Sequence, residues 1–300
     1  MIQNRQSSSA RPQFVGVIHL PPLPGSIRAM RKARGAGKAG VELRRQMQQS
    51  LTQAVREAKI LAGAGFDALI VENFGDVPFV KDEVSVATAA SMSLIVQAIR
   101  ESVNIPLGVN VLRNDALTAL SIAAVTGCQF IRVNVLSGVS ATDQGWIEGR
   151  APEVLSVREQ LDPSIGVLAD VWVKHARQFS SDSLSQSIEE TALRAGADAI
   201  ILTGSTTGRL ASQEMLTEAL EVCESHDIPL YLGSGVSAET LPGLPSSGIS
   251  GIIVGSDLRR DGRAGAALDP RRVSRWMKVA TSQFGRAKPA RVNLGHRDAR

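Results

Sequence analysis

Asp67-Ala68-Leu69-Ile70-Val71-Glu72-Asn73 reads as a short buried strand with a carboxylate at its end. A run of four aliphatic residues is too short for a buried helix and suits a parallel strand covered on both faces. The pattern recurs. Apolar runs at 14–18, 68–71, 106–109, 130–133 and 165–169 lead directly into His19, Glu72, Asn110, Asn134 and Asp170. Three further runs lie at 199–202, 229–232 and 251–254, and helically spaced apolar residues fill most intervals. Eight strands alternating with helices predict an α/β protein, a single (β/α)8 TIM barrel. Such barrels build their sites where strands end and βα loops begin, so the polar residues that close these runs mark a candidate site.

Composition agrees. The chain has 300 residues, enough for one barrel of about 250 residues with extensions. It is 43% hydrophobic but 4% aromatic, so aliphatic side chains must fill the core. No apolar run approaches the roughly 20 residues that cross a bilayer. Residues 1–13 show no secretory signal. Cys128 and Cys223 are far apart in sequence, which fits a reducing, cytoplasmic setting and argues against a cysteine-based zinc site. The net charge is +4; residues 1–13 carry +2 and residues 285–300 carry +4, which leaves −2 for the body. The chain therefore divides into a flexible N-terminal tail (1–13), a barrel (14–284) and a flexible basic C-terminal tail (285–300). A nucleic-acid partner needs a basic face on the folded body, so none is expected. No basic amphipathic helix is evident, so membrane association is expected to be weak or absent. A homo-oligomer is compatible with this reading.

Working outward, Leu43, Met47, Leu51, Ala54, Val55, Ala58 and Leu61 lie on one helical face, stopped by Gly63 and Gly65. Residues 20–40 before it read as a long first βα loop, far beyond the usual 2–6 or so residues. Its basic residues Arg28, Arg31, Lys32, Arg34 and Lys38 suit an anionic ligand, and it is expected to be a mobile lid that closes over the mouth. Residues 236–247 contain Pro242 and Pro245 and predict a short or broken helix.

The chemistry falls into three groups. Gly233-Ser234-Gly235 and Gly255-Ser256 follow the last two strands, where barrels bind phosphate on backbone N–H groups; Thr203 and Gly204 after the sixth strand extend that cradle. Glu72, Asp170, Lys174, His175 and His19 form the acid–base set, and Glu72 and Asp170 are the carboxylates that would hold a divalent metal. Asn73, Asn110, Arg113, Asn114, Asp115, Arg132 and Asn134 offer oriented donors and acceptors for sugar hydroxyls and phosphates. Arg132 flanked by Ile131 and Val133 needs an acidic partner, so a structural role competes with ligand binding. His226 precedes a strand and belongs to the opposite face. The expected partner is a small, phosphorylated, anionic ligand.

Several blocks carry a resemblance: His19-Leu-Pro-Pro-Leu-Pro-Gly-Ser26, Ile70-Val-Glu-Asn-Phe-Gly-Asp-Val-Pro-Phe79, Gly108-Val-Asn-Val-Leu-Arg-Asn-Asp115, Phe130-Ile-Arg-Val-Asn-Val135, Ala169-Asp-Val-Trp-Val-Lys-His175, Gly233-Ser-Gly-Val236 and Val254-Gly-Ser256. Together they resemble the signature blocks of the BtpA/SgcQ family over about 15–273. The resemblance implies a TIM-type barrel. It also implies one of two roles. One branch is associated with photosystem I biogenesis as a peripheral membrane factor, which in a photosynthetic source means the thylakoid surface. Another is described as a nucleosidase or sugar-related enzyme. The expectation is therefore an enzyme acting on a phosphorylated sugar or nucleoside-like ligand, with a non-catalytic assembly factor as the alternative.

Overall fold

The aliphatic runs pair side by side, and the sheet they form closes. The computed structural model describes residues 11–172, 177–178 (backbone only), 183–204, 211–233 and 235–286. The chain begins with β1 (Gln13–His19), α1 (Ile27–Gly35), α2 (Ala39–Ala64) and β2 (Ala68–Glu72). It continues through α3 (Val86–Ser102), β3 (Leu107–Asn110), α4 (Ala116–Thr126) and β4 (Phe130–Val133). A hairpin of β5 (Val139–Thr142) and β6 (Gly145–Glu148) precedes α5 (Ala151–Leu161), β7 (Gly166–Val171) and β8 (Arg177–Gln178). The last part holds α6 (Leu184–Glu189), β9 (Ala199–Thr203), α7 (Gln213–Ser225), β10 (Leu230–Gly233), β11 (Gly251–Val254) and α8 (Pro270–Phe284). The barrel order is β1-β11-β10-β9-β7-β4-β3-β2, and the paired neighbours are parallel. Between β10 and β11 the chain makes one 3-10 turn, Leu241–Gly243, as the prolines there predict.

Strand alternation separates two cores. Val15, Val17, Ala68, Ile70, Phe130, Leu168, Ala199, Ile201, Tyr231 and Ile253 fill the barrel interior. Their neighbours, such as Phe14, Ile18, Leu69, Val71 and Leu202, pack outward against the helices. Two glycines make room for the Phe130 and Tyr231 rings inside. A Cβ on Gly108 would lie 2.1 Å from the Phe130 ring, and one on Gly251 would lie 2.2 Å from the Tyr231 ring. The Tyr231 hydroxyl donates to Gln13 Oε1 at 3.0 Å and closes the floor.

Three expectations change. Residues 20–40 are not a long irregular loop. Ser26 caps α1 by accepting from Ala29 N, and Ala29 and Ala33 are buried while Arg28, Arg31, Lys32 and Arg34 are exposed. Leu20 and Leu23 are buried, and Leu23 N donates to Asp76 Oδ1 at 2.8 Å, so the start of the segment is docked. α1 is thus a basic amphipathic helix that the sequence reading overlooked, because Ala29 and Ala33 carry a weak apolar signal. Arg11, assigned to the tail, pairs with Asp67 at 2.7 Å and sits over the Phe14 ring. Residues 1–10 and 287–300 lie outside the described residues. Between the fourth strand and the next helix, where the sequence pattern predicts a long loop around Asp143, Gly145 and Glu148, β5 and β6 form a hairpin, and β5 also pairs with β8. Among the described residues no helix is long and apolar enough to cross a membrane.

The packing makes a paired prediction. Gly251→Ala drives a methyl into the Tyr231 ring and is expected to destabilise the fold by about 1–3 kcal/mol in urea denaturation. Gly63 lies in α2 with nothing within 4 Å of a Cβ, so Gly63→Ala is expected to stabilise it by about 0.4–1 kcal/mol.

Candidate active site

The inward row of each strand turns polar at its C-terminal end. Val15 and Val17 lead to His19, Ala68 and Ile70 to Glu72, Leu168 to Asp170, and Ala199 and Ile201 to Thr203. Register places His19 beside Glu72, and Glu72 beside Asn110. Above this ring lies a cavity of about 240 Å³. Glu72, Arg132, Asn134 and Asp170 line one part of it, and Gly235, Gly255 and Ser256 another.

Burying so many polar groups requires partners. Arg132 grips Asp170 in a two-point fork, Nε to Oδ2 at 3.1 Å and Nη2 to Oδ1 at 3.0 Å. Asn134 Nδ2 adds a bond to Asp170 Oδ2 at 2.7 Å. Burial alone would depress the Arg132 guanidinium, but the charges of Asp170 and Glu72 and the bond to Asp170 prevail and hold it above its usual value. Arg113 goes the other way: burial lowers it, against the pull of Asp143, Asp170 and Glu72. Asp143 lies in the turn of the β5–β6 hairpin, so that hairpin contributes charge to the mouth. Glu72 accepts one bond from Asn110 Nδ2 at 2.9 Å on Oε2. His19 stacks on Phe74 with ring centroids 4.5 Å apart, and its Nδ1 accepts from Gly265 N at 3.2 Å. In a neutral imidazole this leaves the proton on Nε2.

The glycine loops after β10 and β11 continue the rim beside His19. Gly235 has φ +74°, a left-handed conformation that suits glycine. A Cβ on Gly255 would lie 3.1 Å from the His19 ring. Asp257, which follows Ser256, accepts from Ala238 N at 2.9 Å and ties the two loops together.

The sequence pattern of the BtpA family matches residues 10–282. The chain is 42% identical to the photosystem I biogenesis protein BtpA of Synechocystis, over 93% of this chain and 91% of that protein. The chain belongs to the BtpA family. An uncharacterized protein of Methanocaldococcus jannaschii is also 42% identical, over 89% of this chain and 94% of its own. Among solved structures, KGPDC from Streptococcus mutans in complex with D-R5P has the same fold, with TM-score 0.53 and 12% identity over 91% of this chain and 99% of that one.

Within this BtpA-family barrel the sequence-predicted residues divide. His19, Glu72, Arg113, Arg132, Asn134, Asp170, Thr203, Gly235, Gly255 and Ser256 all border the cavity. Asn110 stands behind Glu72 as its donor. Gly233 faces the barrel interior, where a Cβ would meet Ile201 at 2.6 Å. Gly204 is buried behind the mouth. Three residues assigned to ligand binding are engaged elsewhere. Asn73 Oδ1 accepts from Leu112 N at 2.7 Å and its Nδ2 donates to Asp76. Asn114 makes both its bonds to the Val135 backbone. Asp115 caps α4 at Thr118 N and accepts from Val84 N. These side chains splint βα loops, because loop N–H and C=O groups beside a barrel need partners. Thr203 donates to Trp172 O at 3.1 Å while still bordering the cavity. Lys174, His175 and Ser234 lie outside the described residues. His226 caps the end of α7 and meets Glu189 at 3.2 Å, away from the mouth. Phe74, Phe79, Leu112 and Ala264 also line the cavity and were missed; Phe74 and Phe79 are exposed to prediction only through the block that begins at Ile70.

A divalent metal does not fit the described donor set. Among the described residues no three His, Cys, Asp or Glu side chains converge, and Asp170 is already bound by Arg132 and Asn134.

The fork makes a stability prediction. Arg132→Met leaves Asp170 buried and unpaired, and is expected to cost about 3–5 kcal/mol. The double variant Arg132→Met/Asp170→Leu is expected to recover most of that loss in urea denaturation, because both charges are then gone.

Proposed function

We propose that this protein is an enzyme acting on a phosphorylated sugar or nucleoside-like ligand by acid–base chemistry at the C-terminal mouth. The observation that carries this reading is Glu72. It is a largely buried carboxylate that borders the cavity, and among the described residues Asn110 holds one of its oxygens and none holds the other. A carboxylate oriented from behind and facing a small cavity is built to move a proton. His19, which borders the same cavity, is proposed as a second acid–base group. The backbone at Gly235, Gly255 and Ser256 receives the phosphate. The solved D-R5P complex of KGPDC lends fold-level support. Cleavage of a nucleoside-like bond is the finer form of this reading. Asp170 and Arg132 hold the mouth rigid within it, and Lys174 and His175 are proposed to assist from the loop after β7.

A second reading is an assembly factor, as the Synechocystis photosystem I biogenesis protein suggests. The exposed basic face of α1 favours it, since four cations on nine residues can meet an anionic surface, at the thylakoid if the source is photosynthetic. The equally similar archaeal relative weighs against a role tied to a photosystem.

Glu72→Gln keeps the shape and the Asn110 contact while removing the charge. Turnover in a screen of sugar phosphates and nucleosides is expected to fall by about 10²-fold or more, with an unchanged melting temperature. Gly235→Val is expected to weaken inorganic phosphate binding about tenfold, or about 1.4 kcal/mol. A Glu72→Gln variant as active as the parent would remove Glu72 from the mechanism.

A further inference from the structure

Asn134 brings a buried acceptor to the cavity that the fold itself leaves unsatisfied. The residue follows β4 on the inward row, borders the cavity and is 5% exposed. Its Nδ2 donates to Asp170 Oδ2 at 2.7 Å. That bond decides which way the amide faces. Asp170 is clamped by Arg132 at both oxygens and offers only acceptors, so the amide must present its NH2 to it. Asn134 Oδ1 is therefore held on the other side. It is buried and has no hydrogen-bond partner among the described residues. Buried acceptors are rarely left this way, because each costs a lost hydrogen bond.

The position of this acceptor gives it a direction. In the closed barrel order, β4 and β11 have three strands between them on either side, so they stand directly across the mouth. Gly255 and Ser256, at the end of β11, border the same cavity. A ligand whose phosphate rests at the β11 loop has its far end toward Asn134. There the protein presents an acceptor fixed in place, backed by a carboxylate. A phosphate or carboxylate oxygen brings no proton to such a site, whereas a hydroxyl does.

We propose that Asn134 Oδ1 receives a hydroxyl of the ligand and so selects a polyhydroxylated phosphate ester, lying across the mouth with its phosphate at β11 and a sugar hydroxyl at β4. The proposal rests on the phosphosugar reading above and deepens it. Asn134 acts as a specificity-determining residue; it need not take part in proton transfer.

Isothermal titration of the full chain with inorganic phosphate, ethyl phosphate and ribose 5-phosphate tests it. The parent protein is expected to bind all three and to prefer ribose 5-phosphate to ethyl phosphate by about tenfold, the worth of one well-made hydrogen bond. Asn134→Leu keeps the volume and removes the acceptor. It is expected to bring that preference close to one while leaving inorganic phosphate affinity unchanged. Asn134→Ala provides the same readout should the leucine fail to pack. An unchanged preference in a folded variant, with phosphate still bound, overturns the role of Asn134 and leaves the phosphosugar reading standing. Failure of the parent to bind any of the three phosphates overturns that reading, and the proposal with it.

Discussion

Side chains on a strand alternate, and in a closed barrel each residue faces either the interior or the helices. Everything at the mouth depends on that constraint. On β1 the inward row is Val15, Val17 and His19; on β2 it is Ala68, Ile70 and Glu72. The pairing of His19 with Glu72 and of Glu72 with Asn110 sets three polar groups side by side at one level. A slip of one residue would turn Glu72 toward the helices and Val71 into the mouth. The apolar rows below therefore do more than fill the barrel: they fix the register that places the polar ring.

That ring creates a second demand, since each buried polar group needs a partner. It is met in small units. Arg132, Asp170 and Asn134 form one, Asn110 and Glu72 another, and His19 with the Gly265 amide a third. The third unit depends on the loop after β11, and that loop is held by Arg259. This fully buried guanidinium meets Glu57 of α2, Val17 O of β1 and Ala266 O of the loop itself. The outer helix layer thus helps determine where Ala264 and Gly265 sit above His19. Cutting one side of such a buried pair is costly because the other charge stays in place.

The sequence showed the barrel and the ring for the same reason: both are written in strand alternation. His19, Glu72, Asn110, Asn134 and Asp170 each follow an apolar run, and that alone located them. It could not say what each side chain does. Asn73, Asn114 and Asp115 look no different in sequence from Asn110 and Asn134, yet they bind loop backbone. The distinction lies in whether a residue continues the inward row or falls past it into a loop. Asp115 did carry a local signal, as a cap three residues before Thr118. The β5–β6 hairpin carried one too, in the alternation of Val139, Ser140, Ala141 and Thr142 around a turn at Asp143 and Gln144. α1 was obscured because alanines supply its buried face. That Phe74 and Leu112 border the cavity shows only once the loops have a shape, although both lie within blocks that carry the family resemblance.

Glu72 and Asp170 show how far environment separates two equal residues. Each is a carboxylate at the end of an inward row, and each borders the same cavity. Asp170 receives three hydrogen bonds and a full opposing charge. Among the described residues Glu72 receives one bond, from a neutral amide. A carboxylate saturated with donors has little capacity left to accept a further hydrogen bond. One left with a single donor keeps an oxygen for the ligand. The division also orders the mouth in space. Asn134, after β4, stands across the ring from the β11 loop, whereas Glu72 on β2 is separated from β11 only by β1. On the proposed reading, a ligand that reaches from the β11 loop to Asn134 is acidic at one end and hydroxylated at the other, and that polarity follows from the strand order as much as from any single residue.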